Sequence, residues 1–132
     1  MFIFSCKPDK KDILSLNTFP ENSSESFLLS TNDNLYISWT EQVADSNFLY
    51  LSKLENNTWS EKSIIKKGTD WFVNWADFPS IAALEDGTII VHWLEKSGTS
   101  AYAYDIRVSL SQDKGASWSY PFQPHLDRTI AQ

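Results

Sequence analysis

The sequence predicts an all-β protein built from repeated antiparallel hairpins. Ile, Val, Leu, Tyr, Phe, Trp and Thr cluster in short runs separated by polar turns, which is typical of strands. No segment combines a sustained helical period with capping residues. One strand pattern also recurs after roughly fifty residues, a spacing typical of repeated sheets of about four short strands.

The clearest recurrence is a strand that carries a Trp-x-Glu ending. Leu35–Glu41 recurs as Ile89–Glu95, and each copy follows a tight turn, Asp33-Asn34 in the first and Asp86-Gly87 in the second. Asn and Gly tolerate positive φ, so both turns indicate hairpins. The two copies therefore predict the second strand of each of two sheets.

The next strand recurs as well. Leu49–Ser52 matches Ile106–Ser109, and each run leads to a turn that ends in a tryptophan, Trp59 or Trp118. The pattern predicts one four-stranded unit from about Ser26 to Lys66 and a second from about Pro79 to Pro121.

The second of these turns, Ser111–Trp118, has the spacing S-x-D-x-G-x-x-W. Asp113 is expected to accept hydrogen bonds from backbone N–H groups of the turn, as in Asx-turns. Gly115 supplies a position where positive φ costs little. Trp118 is expected to fold beneath the turn and bury on the order of 150–250 Å². The pattern is that of a tight turn between the third and fourth strands.

The spacing resembles the Asp-box of the bacterial neuraminidase repeat, which occurs in sialidase-type β-propellers. The resemblance implies that Ser111, Asp113, Gly115 and Trp118 are structural and lie away from the active site. It also implies that residues 21–132 form the first two four-stranded antiparallel blades of a six-bladed propeller. Two blades cannot close a propeller, so the remaining blades are expected beyond the chain end. The alternative is a complete small β-sandwich that contains the motif.

Charge and cysteine content limit the partners. The net charge of −6, from 17 acidic and 11 basic residues, argues against nucleic acid, which needs a basic surface. Cys6 is the only cysteine, and Ile3–Cys6 resembles the end of a bacterial lipoprotein signal. Residues 1–20 are therefore expected to be the remnant of an export signal and a tether. This predicts a cell-envelope protein, periplasmic or on the surface, with a lipid on Cys6; the alternative is an incidental thiol.

Strand parity predicts which loops share an end of the sheets. In a four-stranded antiparallel blade, the second-to-third loop and the connection to the next blade lie opposite the Asp-box. The expected functional end, which we call the top, therefore collects Gln42–Asn47, Gly68–Asp77, Lys96–Tyr104 and the exit loop with His125 and Arg128. The funnel of a propeller opens there, and concave openings are where ligands bind.

One top segment, Thr69–Ser80, combines two tryptophans with carboxylates and an amide. Aromatic rings can cover the apolar faces of a sugar while polar groups bind its hydroxyls. The candidate substrate-binding residues are Asp70, Trp71, Asn74, Trp75 and Arg128, and the candidate catalytic residue is Asp77. In the alternative, the tryptophans fill the groove between blades and Asp77 caps the turn before Pro79.

In the sialidases that the chain resembles, an Asp is the acid/base catalyst, three arginines bind the substrate carboxylate, and a Tyr activated by a Glu is the nucleophile. Only the Asp has a match here, in Asp77. No arginine precedes Arg107, for which a structural role is expected, as it is for His92.

The resemblance thus implies an exo-acting glycoside hydrolase of terminal glycan sugars, with only part of its active site in this chain. The alternative is a non-catalytic propeller that binds glycan or protein through its top. No metal-ligand spacing and no phosphate-binding glycine loop is present, and no cofactor is expected.

Overall fold

The computed structural model of the chain describes residues 19–71 and 73–125, which form two antiparallel sheets without a helix. The all-β prediction is confirmed. Sheet I contains β1 (Ser23–Ser30), β2 (Leu35–Val43), β3 (Ser46–Glu55), β4 (Thr58–Trp59) and β5 (Ser63–Gly68). Sheet II contains β6 (Ser80–Ala83), β7 (Ile89–Lys96) and β8 (Tyr104–Ser111).

Both sheets have four strand positions, although the last is irregular in each. In sheet I, β4 and β5 both pair with β3, so they act as one interrupted fourth strand. In sheet II, the chain after the Ser111–Trp118 turn returns along β8. Ser119 N donates to Leu110 O at 2.8 Å, and Val108 and Phe122 exchange two backbone hydrogen bonds of 2.9 Å.

The two sheets repeat the same side-chain hydrogen bonds at this return. The Ser52 hydroxyl donates to Ser60 O at 2.8 Å, and the Ser109 hydroxyl donates to Ser119 O at the same distance. The hydroxyls of Ser60 and Ser119 in turn accept the backbone N–H of the preceding strand at 3.1 and 3.0 Å. Sequence recurrence therefore corresponds to recurrence of geometry.

The Trp-x-Glu pairs are a second repeated arrangement. Trp39 Nε1 donates to Glu41 at 2.8 Å, and Trp93 Nε1 donates to Glu95 at 3.0 Å. Each glutamate also pairs with a cation, Lys62 at 2.7 Å in sheet I and Arg107 at 2.9 Å in sheet II. The same tryptophan–carboxylate–cation unit thus fixes the second strand of both sheets.

The sheets pack through opposite faces. Sheet II contributes the face that carries Val91 and Trp93, and sheet I contributes the face that carries Tyr36, Leu49 and Leu51. Because Trp39 is the counterpart of Trp93, the equivalent face of sheet I is turned away from sheet II and forms a separate cluster. The packing is head-to-tail, since different faces of the two copies meet.

The backbones of the two sheets approach each other where β1 meets β6. The β1–β2 turn and the β6–β7 turn line one shared groove that includes Asn34 and Gly87, so they lie at the same end. By strand parity, the β2–β3 turn, the β7–β8 loop and the connection between the sheets lie at the opposite end. This arrangement fixes the location of the candidate site.

Candidate functional site

The connection between the sheets contains a tight loop organised by Asn74. Asn74 Oδ1 accepts the backbone N–H groups of Ala76 at 2.8 Å and Asp77 at 2.9 Å. Asn74 N donates to Asp77 O at 3.1 Å and closes the loop from the other side. Side-chain acceptors of this kind replace the ladder bonds that a loop lacks. The loop is therefore held by its own hydrogen bonds.

Asp77 is half-buried at the end of this loop. Its Oδ2 accepts the Asn74 side-chain amide at 3.0 Å, while Oδ1 has no hydrogen-bond partner among residues 19–71 and 73–125. Pro79 is fully buried and Ser80 begins β6, so the backbone that follows Asp77 is anchored in sheet II. Asp77 thus presents one carboxylate oxygen from a fixed backbone.

Trp75 lies at the tip of the same loop with its ring in solvent. It is 89 % exposed, the most exposed of the tryptophans between residues 19 and 125. Its backbone is held because both flanking residues, Asn74 and Ala76, belong to the hydrogen-bonded loop. An indole at this exposure gives little cover to Asp77.

Trp71 does not belong to this surface. It is only 8 % exposed and packs against Trp93 with ring centroids 6.3 Å apart. A Cβ atom at Gly68 would overlap the Trp71 indole, so the ring lies directly on the Gly68 backbone. Its ring therefore lies in the core between the sheets, which agrees with the alternative that the tryptophans fill the groove there.

Asp70, the neighbour of Trp71, is exposed, and its backbone carbonyl accepts the Lys96 N–H at 2.7 Å. This bond ties the connection to the end of β7. No described contact joins the Asp70 side chain to Asp77. Of the predicted residues, the structure brings together Asn74, Trp75 and Asp77, and it leaves Asp70 apart from them.

Two predicted residues, Arg128 and Cys6, lie outside the described residues. Arg107 is part of sheet II, where its Nε donates to Glu95 at 2.9 Å. His92 is half-buried beside the Ser80 hydroxyl at 3.1 Å, and burial lowers its pKa from the ordinary value. Structural roles explain the positions of both Arg107 and His92.

The Ser111–Trp118 turn lies at the opposite end and forms a closed hydrogen-bond network. Asp113 accepts the Ser117 hydroxyl, the Ser117 N–H at 2.8 Å and the Ser111 hydroxyl at 2.8 Å. Those three bonds, with the Ser117 hydroxyl contributing most, lower the pKa of Asp113 to about 2. Gly115 has a φ of +92°, as the spacing predicted, and Trp118 packs partly buried against the core.

The Ser111–Trp118 turn also joins the two sheets. Ser63 of β5 donates its hydroxyl to Gly115 O at 3.1 Å. A Cβ atom at residue 115 would overlap the Leu51 side chain of sheet I. This contact was not expected from the sequence, because the spacing of the motif describes only its own hairpin.

The sequence analysis also did not predict the ion pairs that Glu41 and Glu95 make. The signal was present in the recurrence of Trp39 with Glu41 and of Trp93 with Glu95. The cations that pair with these glutamates come from different places: Lys62 directly precedes β5, whereas Arg107 lies within β8. No fixed spacing in the sequence therefore identifies them.

Within residues 19–71 and 73–125, no group of three His, Cys, Asp or Glu side chains is placed to hold a metal ion. In the same part of the chain, no helix has the length and apolar character needed to cross a membrane. Comparison with known proteins found no matching family model, curated protein or solved structure.

Proposed function

We propose that this chain forms two blades of a sialidase-like β-propeller that removes terminal sugars from glycans. The observation that carries the proposal is the Asn74–Asp77 loop, in which Asn74 holds the Asp77 carboxylate and Trp75 exposes its indole. The loop leads directly into β6, the strand that approaches β1 of the other sheet. In a propeller these two first strands would line the central funnel.

Asp77 is the proposed general acid. In its protonated form it would donate its proton to the glycosidic oxygen as the bond from that oxygen to the sugar breaks. The Oδ1 atom suits this role because it accepts no hydrogen bond from a described residue. Asn74, bonded to Oδ2, would fix the carboxyl orientation. Proton transfer by a positioned side chain contributes typically about 10²–10⁴-fold to the rate.

The experiment measures release of terminal sugars by the polypeptide that carries the remaining blades. Asp77→Asn is expected to remove most of the activity on natural glycans. The matched control is Asp45→Asn, an exposed carboxylate in the β2–β3 turn at the same end of the sheets. Equal activity of Asp77→Asn and wild-type protein would exclude Asp77 from catalysis.

The second candidate function is glycan or protein binding without hydrolysis, and Trp75 favours it. The Trp75 indole is almost fully exposed and lies on a loop that hydrogen bonds hold in place. Stacking of a ligand on this ring would therefore cost little conformational entropy. If the wild-type protein binds glycans but hydrolyses no glycoside, and Trp75→Ala abolishes the binding, the proposed function is glycan binding and not hydrolysis.

The sequence Ile3–Cys6 supports a further part of the proposal, a lipid anchor in the cell envelope. Mass spectrometry of protein from its native host should find acyl chains on Cys6, and Cys6→Ser should release the protein from membranes. An unmodified thiol on the native protein would contradict the anchor.

A further inference from the structure

A groove of about 170 Å³ lies where β5 of sheet I meets sheet II. Five residues line it: Lys66 of β5, Glu95 of β7, Arg107 of β8, and Tyr120 and Pro121 from the segment that returns along β8. None of the five is fully buried, and Tyr120 is 93 % exposed. The groove is therefore open to solvent and is lined by side chains from both sheets. We call it the Arg107 groove.

The protein itself uses only part of the Arg107 guanidinium. Its Nε donates to Glu95 Oε2 at 2.9 Å. The two terminal nitrogens make no hydrogen bond to any residue within 19–71 and 73–125. A guanidinium carries five N–H donors in a planar fork, so the donors on the terminal nitrogens remain available to a ligand.

Lys66 brings a second cation to the groove from the other sheet. Its Nζ lies 5.9 Å from the centroid of the Trp93 ring, so the side chain reaches from sheet I to sheet II. In the part of the chain that the structure describes, Lys66 forms no ion pair with a carboxylate. Glu95 lines the same groove, but its Oε1 accepts Trp93 Nε1 at 3.0 Å and its Oε2 accepts Arg107. No bonded carboxylate therefore neutralises the Lys66 charge.

The Arg107 groove is a positive site on a chain whose net charge is −6. Its lining holds two cations, Lys66 and Arg107, and one carboxylate, Glu95. Asp105 is the other acidic residue that strand alternation places on this face of β8 and β7, and it does not line the groove. Arginine and lysine form charge-assisted hydrogen bonds to sulfate and phosphate oxygens, and the arginine fork can bind two such oxygens at once. The charges and the free donors thus favour an anion with several acceptor oxygens.

We propose that the Arg107 groove binds a small tetrahedral oxyanion, sulfate or phosphate, either as the free ion or as an ester group of a larger molecule. The terminal nitrogens of Arg107 would bind two of its oxygens, and the Lys66 ammonium would bind a third. Because Arg107 and Lys66 belong to different sheets, the bound anion would also link sheet II to sheet I. Contacts between solvent-exposed charges contribute little each, so the expected affinity is millimolar. The site shares no residue with the Asn74–Asp77 loop.

The test is an NMR titration of the isotope-labelled chain with sodium sulfate, compared with sodium chloride at equal ionic strength. The observed signals are the N–H groups of Arg107 Nε and Trp93 Nε1, which both donate to Glu95 in the groove. Sulfate should shift both signals along one saturating curve with a millimolar dissociation constant, and chloride should not. Lys66→Met should weaken sulfate binding about fivefold, the effect of one exposed charge contact.

The matched control is Lys67→Met, which should bind sulfate as the wild-type chain does. Lys67 is the next residue of β5, and its Nζ also lies near an aromatic ring, 5.2 Å from the Phe48 centroid, but on the opposite face of the strand. Arg107→Lys keeps the charge and removes the planar fork, so it should weaken binding at least as much as Lys66→Met does, with the Trp93 signal as the readout.

The absence of a saturating shift with sulfate would overturn the proposal. Equal weakening by Lys66→Met and Lys67→Met would overturn it as well, because the effect would then follow the net charge and not the groove. If Arg107→Lys does not fold, as checked by circular dichroism, the comparison of the two lysine variants decides. A sugar sulfate that binds more tightly than inorganic sulfate assigns the groove to an ester group, and one that binds more weakly assigns it to the free ion. The glycosidase activity proposed for Asp77 does not depend on any of these results.

Discussion

Two aspartates at opposite ends of the molecule show how hydrogen bonding separates structural from chemical roles. Asp113 accepts three hydrogen bonds from its own turn, and its carboxylate is committed to that turn. Asp77 accepts one side-chain bond, from Asn74, and keeps Oδ1 free of described partners. The same residue type therefore closes a hairpin in one place and is available to a ligand in the other.

The low pKa of Asp113 predicts a loss of stability in acid. Its pKa in the folded protein is about 2, below the ordinary 3.8, so its stabilisation is present above pH 3.8 and is lost as the pH falls toward 2. Asp113→Asn should reduce this part of the pH dependence, and Ser117→Ala should reduce it less. Urea unfolding between pH 5 and pH 2 measures it. An identical pH dependence in all three proteins would contradict the assignment of the shift to this turn.

Two tryptophans allow a paired test of burial. Trp118→Ala should lower the free energy of unfolding by about 3 kcal/mol, the lower end for large aromatics, because the ring is only partly buried. Trp75→Ala should change it by less than about 0.5 kcal/mol, because the ring is in solvent. Chemical denaturation of both variants provides the comparison. A larger loss at Trp75 than at Trp118 would mean that the roles of the two rings are reversed.

At the scale of strands and turns, glycines set how closely the sheets approach. Gly115 has positive φ and also lies where any side chain would meet Leu51 of sheet I. Gly87 has a similar φ of +85°, but a Cβ atom added there would have no other atom within 4 Å. A substitution at Gly87 therefore tests backbone strain alone, whereas one at Gly115 tests backbone strain together with the contact between the sheets.

Gly115→Ala should therefore cost more stability than Gly87→Ala, by about 1–3 kcal/mol for the added overlap. Leu51→Ala in the Gly115→Ala background should recover part of that difference, because the overlapping side chain is removed. A double-mutant cycle from unfolding experiments measures this coupling. Equal costs at the two glycines with no coupling to Leu51 would show that the sheets do not meet at the Ser111–Trp118 turn.

The sequence predicted the features that depend on short spacing. The turn of Asp113 and Gly115 and the alternation of β8 are local, so spacing was sufficient for them. The burial of Trp71 depends on Gly68 and on Trp93 in another strand, which no local pattern reveals. The start of sheet I also differed, since β1 begins at Ser23 and not at about Ser26, and its pairing with β2 shifts register between Ser24 and Phe27.

At the scale of the whole molecule, the two sheets are successive copies that pack through different faces. The recurring Trp-x-Glu units and the recurring serine bonds support one structural repeat. A head-to-tail repeat of sheets that approach at their first strands is the arrangement expected in a propeller, whose loops at one end converge on a funnel. The function proposed for the Asn74–Asp77 loop rests on this proposed propeller.

The most direct test of the proposed catalysis compares two glycosides with different leaving groups, using a polypeptide that includes the proposed further blades. With a poor leaving group, Asp77→Asn should lower turnover by on the order of 10²–10⁴-fold, because the departing oxygen needs a proton. With an activated aryl leaving group, the same variant should lose far less. Equal losses on the two substrates, or unchanged turnover on both, would contradict the role of Asp77 as the general acid.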